Sequence, residues 1–290
     1  MAQRGKGRMN PIYVVIISAL VMVLLTVVVV LLMGYRYTSD NGIKFIGKVA
    51  GGVPYSGSLN YPGDNDGELD KANNSIYFDN GDVYKGDIDI LCRHGYGVMT
   101  YKNGDRYEGQ WENDLIHGDG TFYFANGDVY QGEFVKGVPE GDGICTLANG
   151  DVYQGGFKDG MYHGEGSYVW ANGDSYKGGY AEGTREGYGE LKLAAGETYK
   201  GNWKSDKRDG ADGELNYANG DRYSGPFING LPDTRERDAE GKLVVMDNGK
   251  YRHNEMGIYT YADSGRIYTG YFEEGKIVTV DGDLAETPES

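Results

Sequence analysis

Residues 149–171 read NGDVYQGGFKDGMYHGEGSYVWA, and this stretch decides the fold. Tyr153, Gly155 and Phe157 alternate with other residues, which is strand periodicity, because successive side chains of a strand point to opposite faces. The Gly164, Gly166 pair opens a second alternating run through Tyr168 and Trp170, which stops at the next Asn172-Gly173-Asp174. Asn-Gly between alternating runs is a strong hairpin signal, since a type I′ turn needs φ above zero at both central residues. Each unit is therefore expected to form two short strands joined to the next unit through a type I′ turn.

The same phrase returns at a fixed interval along the chain. Its tyrosine falls at Tyr84, Tyr107, Tyr130, Tyr153, Tyr176, Tyr199 and Tyr223, so five successive spacings are 23 residues and the sixth is 24. A glycine follows two positions after each tyrosine, and two further on stands Ile88, Trp111, Phe134, Phe157, Tyr180, Trp203 or Phe227. One hairpin cannot bury such a ring face, whereas stacked units can, with the glycines admitting close ring packing.

The pattern Y-x-G-x-[WF], then H-G-x-G, then N-G-D resembles the MORN (membrane occupation and recognition nexus) repeat, over Tyr84 to about Gly230. The resemblance implies an all-β fold, an elongated twisted antiparallel sheet of stacked β-hairpin repeats, working in scaffolding, tethering or dimerisation. It does not imply an enzyme, since family members with activity carry a separate catalytic domain. Three departures weaken the array: Ile88 replaces an aromatic residue, Ala195-Gly196-Glu197 replaces Asn-Gly-Asp, and one extra residue lies near Ala211.

The flanks complete the organisation. Residues 1–11 form a short basic tail, and 12–33 are a charge-free apolar run that predicts one transmembrane α-helix, at 1.5 Å rise per residue long enough for the hydrocarbon layer of about 30 Å. No small-residue cleavage site precedes Gly34, which favours an uncleaved anchor. Arg4, Lys6 and Arg8 before the span, weighed against Arg36, Lys44 and Lys48 after it, predict a cytoplasmic N-terminus and an extracytoplasmic array. Residues 34–54 are expected as a linker, 55–83 as a degenerate first repeat, 84–230 as the array, 231–277 as a loop with degenerate closing repeats, and 278–290 as a tail.

Among the 290 residues are 49 Gly and 26 Tyr, a profile suiting short strands and tight turns. The net charge of −16 argues against direct nucleic-acid binding, because approach to phosphate costs repulsive work. Only two cysteines occur, Cys92 and Cys145, with no CxxC or Cys/His cluster. His94, His117 and His163 share one repeat position, about 9 to 10 Å apart in successive units, too far to share a zinc ion. No nucleophile elbow, phosphate loop or zinc-protease motif appears, so neither catalysis nor a cofactor is expected. The aspartates at 82, 105, 128, 151, 174 and 221 read as turn residues that bond their own backbone locally. The binding candidate is the aromatic stripe Trp111, Phe134, Phe157, Tyr180, Trp203 and Phe227: repeat packing, or a face for a protein partner, a second copy, or carbohydrate as the alternative ligand.

Overall fold

The computed structural model describes residues 22–25, 34–63 and 65–278. The chain divides into two units, one up to Leu115 and one from Ile116. Each is built of antiparallel strands, so the fold is all-β.

The first unit runs β1 (Tyr35–Thr38), β2 (Lys44–Ala50), β3 (Val53–Asn60), β4 (Gly67–Asp70), β5 (Ser75–Phe78), β6 (Val83–Asp89), β7 (Cys92–Thr100) and β8 (Arg106–Glu112). Each strand pairs with the next in sequence. In the second unit, entered within β9 (Leu115–Tyr123), follow β10 (Val129–Val135), β11 (Val138–Thr146), β12 (Val152–Lys158), β13 (Met161–Val169), β14 (Ser175–Ala181), β15 (Thr184–Lys192) and β16 (Thr198–Lys204). The closing part comprises β17 (Lys207–Arg208), β18 (Gly210–Asn216), β19 (Arg222–Ile228), β20 (Leu231–Pro232), β21 (Gly257–Thr260), β22 (Ile267–Glu273) and β23 (Lys276–Val278). From β9 to β16 every strand again pairs with its sequence neighbour. The extra residue near Ala211 coincides with the split between β17 and β18, both of which pair with β16.

Two turns alternate along the array, and the type I′ turn lies at the opposite end of the hairpin from where Asn-Gly suggested. It is the two-residue step between the strands of one unit, where Lys136 and Gly137 have φ of 51° and 84°, Asp159 and Gly160 50° and 76°, and Glu182 and Gly183 48° and 82°. At the Asn-Gly-Asp step only the glycine is left-handed, as at Gly127 with φ 97°. There the Gly127 amide donates to the Phe124 carbonyl at 2.9 Å and the Phe124 amide to the Asp128 carbonyl at 2.9 Å. This longer loop is a turn followed by a left-handed residue, and glycine meets that demand without strain.

The flanks correct the expected layout. Residues 34–54 carry β1, β2 and the start of β3, with Ile43 and Phe45 buried, because Lys44-Phe45-Ile46 continues the alternation that Gly-rich composition had masked. Among the described residues no helix is long and apolar enough to cross a membrane. The predicted span 12–33 lies outside the described residues except for a helical turn at 22–25, whose side chains are exposed.

Candidate functional site

All six rings of the predicted stripe are buried, between 1% and 7% exposed, so no ring face is open for a ligand to stack on. Their partners are the repeat tyrosines. In the second unit each tyrosine sits edge-to-face between the ring of its own repeat and that of the next: Tyr130 with Phe134 at 5.0 Å and Phe157 at 4.8 Å, Tyr153 with Phe157 and Tyr180 at 5.2 Å each, and Tyr176 with Tyr180 and Trp203 at 5.3 Å each. The zipper continues through Tyr199, Phe227 and Tyr223 to Phe272. In the first unit Trp111 lies edge-to-face with Tyr84 and Tyr107. Such contacts add about 0.5–1.5 kcal/mol each beyond burial, which lets a single sheet layer make its own core.

The glycines are the floor of this core. Tyr153 lies over the Gly155, Gly166 pair, and a Cβ built at Gly166 would fall 2.6 Å from its hydroxyl oxygen and 2.7 Å from a ring carbon. Gly166→Ala is therefore expected to cost about 1–3 kcal/mol, as overpacking does, read as a lower urea midpoint. Each hydroxyl then reaches a main-chain carbonyl three residues on, Tyr130 to Glu133 at 3.0 Å and Tyr153 to Gly156 at 2.8 Å among them.

One position carries no sequence pattern. The residue before each His/Glu/Asp-Gly step pairs across the strands with the buried ring of its own repeat, Pro139 with Phe134, Tyr162 with Phe157, Arg185 with Tyr180 and Arg208 with Trp203, and the larger of these side chains cover neighbouring rings, as Arg208 does Tyr199 at 5.1 Å. Tyr162 stacks on Tyr153 at 3.7 Å, and the Arg185 guanidinium lies 4.2 Å from the Trp203 ring centre while Nε donates to Asp206 at 2.9 Å. In the first unit Arg93 repeats this arrangement on Trp111 at 4.5 Å, with Asp114 as its carboxylate. The only sequence signal is that the position is filled by large side chains of unlike chemistry, which no residue pattern flags.

The aspartates also act differently from a local turn. The asparagine closes the turn, accepting from the aspartate amide at 3.0 Å in Asn126-Gly127-Asp128. The aspartate accepts locally from the asparagine side chain, as Asp128 does from Asn126 Nδ2 at 2.8 Å, and with its other oxygen reaches the next repeat: Asp128 accepts from the Ala148 amide, Asp151 from Ala171 and Asp174 from Ala194, each at 2.8 Å. The Ala171 amide, aided by the Tyr168 and Asn149 side chains, holds the Asp151 carboxyl below the usual carboxylate range. Asn-Gly-Asp is thus a staple between repeats.

Burial pushes the phenols of Tyr130, Tyr153, Tyr168 and Tyr176 up to about 12. An unfolded tyrosine titrates near 10. These groups thus stabilise the fold fully below pH about 10, and that contribution is lost as pH rises through the folded values. Cooperative unfolding between pH about 10 and 12 is expected, with phenolate absorbance and loss of strand circular dichroism changing together; independent titration of the phenols in a folded chain would contradict it.

The opposite face of the second unit carries mostly polar side chains, with Ile144 and Val169 exposed among them, and holds a shallow trough of about 680 Å³, lined by Gln131, Asp142, Ile144, Gln154, Glu165, Ser167 and Lys177 with glycines between them. A smaller recess of about 430 Å³ in the first unit is bordered by Asp40, Asn41, Asp89, Cys92 and His94. Cys92 Sγ accepts from Asn41 at 3.0 Å, and burial with the nearby Asp114 carboxylate pushes its thiol up to about 11, which keeps it protonated and unreactive. His94, His117 and His163 lie on β7, β9 and β13.

Residues 93–211 match the MORN repeat model in six segments, 93–106, 107–129, 130–152, 153–175, 176–198 and 199–211. No curated protein matches the chain. Among solved structures, the wild-type TCP10 domain of Danio rerio CPAP is 11% identical, covering 73% of this chain and 98% of that one at a TM-score of 0.33. The SAS-4 TCP domain of Drosophila melanogaster, solved with a proline-rich motif of Ana2, is 13% identical, covering 82% and 90% at 0.25. A streptogramin B lyase is 11% identical, covering 86% and 88% at 0.15. Likenesses this loose carry no argument about shape or partner.

Proposed function

We propose that this chain, whose residues 93–211 carry MORN repeats, is a non-catalytic, membrane-anchored scaffold that binds a protein partner on the polar face of its repeat array. One observation carries the reading: the rings are consumed by the array's own core, while the opposite face keeps an open, polar trough at Gln131 to Lys177. A sheet with one self-covered face and one grooved face is suited to positioning another molecule. A sugar ladder would need exposed ring planes, which the stripe does not offer.

The anchor in this proposal is the charge-free run at 12–33, and the charge balance around it puts the array outside the cytoplasm. Cys92 and Cys145 are half-buried with raised pKa values, so orientation is better tested with a cysteine at exposed Glu240. Labelling of Glu240→Cys by an impermeant thiol reagent on intact cells is expected; labelling only after lysis would reverse the topology.

Partner binding is tested by amine cross-linking and mass spectrometry on the membrane-embedded chain. Lys177, which lies in the trough, is expected to give reproducible links to one other protein, whereas Lys136 and Lys158, in or beside the intra-unit turns, give none to it. Links only between copies of this chain would make the scaffold a self-assembling one. No links at all would remove the proposed function.

A further inference from the structure

The pairing register sorts the trough into three rows crossing the strands. Val129, Thr146, Val152 and Val169 form a β-branched row. Beside it, Gln131, Ile144, Gln154, Ser167 and Lys177 are paired in turn across β10 to β14. The third row is acidic: Asp119 opposite Glu133, Asp142 opposite Gly156, and Glu165 opposite Gly179. Like charges set directly opposite, as Asp119 and Glu133 are, destabilise a free sheet. Among the described residues none of Asp119, Glu133, Asp142 and Glu165 takes part in an ion pair.

Gly156 and Gly179 stand where other repeats place Asp87, Gln110, Glu133 and Asn202. Close main chain favours glycine there, since a Cβ would fall 2.3 Å from the His163 carbonyl oxygen and 2.2 Å from that of Glu186. The missing side chains leave the next strand uncovered: in the first unit a Cβ at Gly95 would meet Asp87 at 2.7 Å, whereas at the equivalent Gly164 and Gly187 it would have nothing within 4 Å. Beyond Lys177 the middle row alternates Lys177, Glu190, Lys200 and Glu214, which neutralises itself. Among the described residues, Asp142 and Glu165 thus stand without an ion pair beside positions 156 and 179, which carry no side chain.

Resting on the reading that this face binds a protein, we propose that the trough docks an extended cationic segment of the partner, in the polyproline II conformation with Lys or Arg at every third residue. Asp142 and Glu165 lie two strands apart, about 9.6 Å at strand spacing. A polyproline II segment repeats every three residues at about 3.1 Å rise, or about 9.3 Å, so its cations keep step with the acids. A β-strand ligand presents one face every two residues, about 6.7 Å, and loses register at the second site. Polyproline II makes no internal hydrogen bonds, which leaves its carbonyls free for the Gln131 and Gln154 amides and the Ser167 hydroxyl. The valine row gives its proline rings an apolar wall.

The test is fluorescence anisotropy of labelled peptides on the full chain. The probes are about four Arg-Pro-Pro repeats, the Glu-Pro-Pro equivalent, and a peptide of the first composition with its arginines grouped at one end. The periodic basic peptide is expected to bind at least about tenfold tighter than the grouped one, and more weakly as salt rises. Asp142→Lys with Glu165→Lys, both exposed, should weaken it at least about tenfold, while Glu240→Lys with Glu255→Lys, the same charge change elsewhere on this unit, should leave it within about twofold. Equal binding of the grouped or acidic peptide, or an equal loss in the distant pair, overturns the proposal, because net charge alone would explain it. Links from Lys177 to a partner without binding of the periodic peptide would overturn the cationic segment and keep the proposed function; absence of both would remove both.

Discussion

Tyr176→Ala is expected to cost about 3 to 5 kcal/mol, the range for truncating a large buried ring. Tyr176 is fully buried, and its ring joins Tyr180 to Trp203 at 5.3 Å each. Its hydroxyl donates to the Gly179 carbonyl at 3.1 Å, and its ring roofs Gly189, where a Cβ would fall 2.3 Å from the phenol oxygen. The alanine removes two edge-to-face contacts and opens the glycine floor to water in one step. Tyr176→Phe keeps the ring and loses one hydrogen bond, for about 0.5–1.5 kcal/mol. Urea denaturation gives both values, and hydrogen exchange should show β14 to β16 opening first in the alanine variant. Equal costs would mean that the hydroxyl, and not the ring zipper, carries the core.

The second large effect lies in the closing part. Asp233 is 1% exposed and its carboxylate accepts from Arg235 Nε at 2.9 Å, from Arg235 Nη2 at 2.6 Å and from the Glu274 amide at 3.2 Å. Asp233→Ala leaves the Arg235 guanidinium without its buried carboxylate, which costs about 3–5 kcal/mol. The Asp233→Leu, Arg235→Met double variant should recover only part of this, because the Arg235 and Glu274 amides remain unpaired. Beside it, Thr234 accepts from the Phe272 amide at 2.9 Å and contacts His253 Nδ1 at 2.7 Å, so β22 is held to this segment by polar groups instead of rings. Thermal unfolding of the two variants checks the order; a double variant less stable than the single one would contradict it.

What the sequence revealed and what it hid follow one physical line. Strand alternation and the 23-residue period are local and regular, so the paired strands from Val83 onward were legible, as was the ring at Trp111 or Phe157. Whether those rings face out or in was not, because burial in a single layer depends on the neighbouring repeat's tyrosine and on Arg185-like covers that share no residue type. The turn assignment reversed for the same reason. Asn-Gly favours positive φ at both positions, but the bond from each aspartate to the next repeat's amide fixes a longer loop, and the type I′ geometry falls to Lys136-Gly137 and its counterparts. The linker expected at 34–54 proved to contain strands because Phe45 and Leu59 are cross-strand partners, a pairing between residues with no repeat phrase. The trough was invisible because its rows run across strands, joining residues about 10 to 13 positions apart that are neighbours only in the sheet.

The polar face, and not the ring face, engages the partner. Site-specific photo-cross-linking in the native membrane separates the two faces, with the photoreactive residue at Gln131 or Gln154 in the trough and, for comparison, at exposed Phe124, which packs on Phe122 beside Tyr130 on the ring side. One dominant adduct is expected from both trough positions and none of that mass from Phe124. Capture at Phe124 with silence at Gln131 and Gln154 would place the partner on the ring face instead.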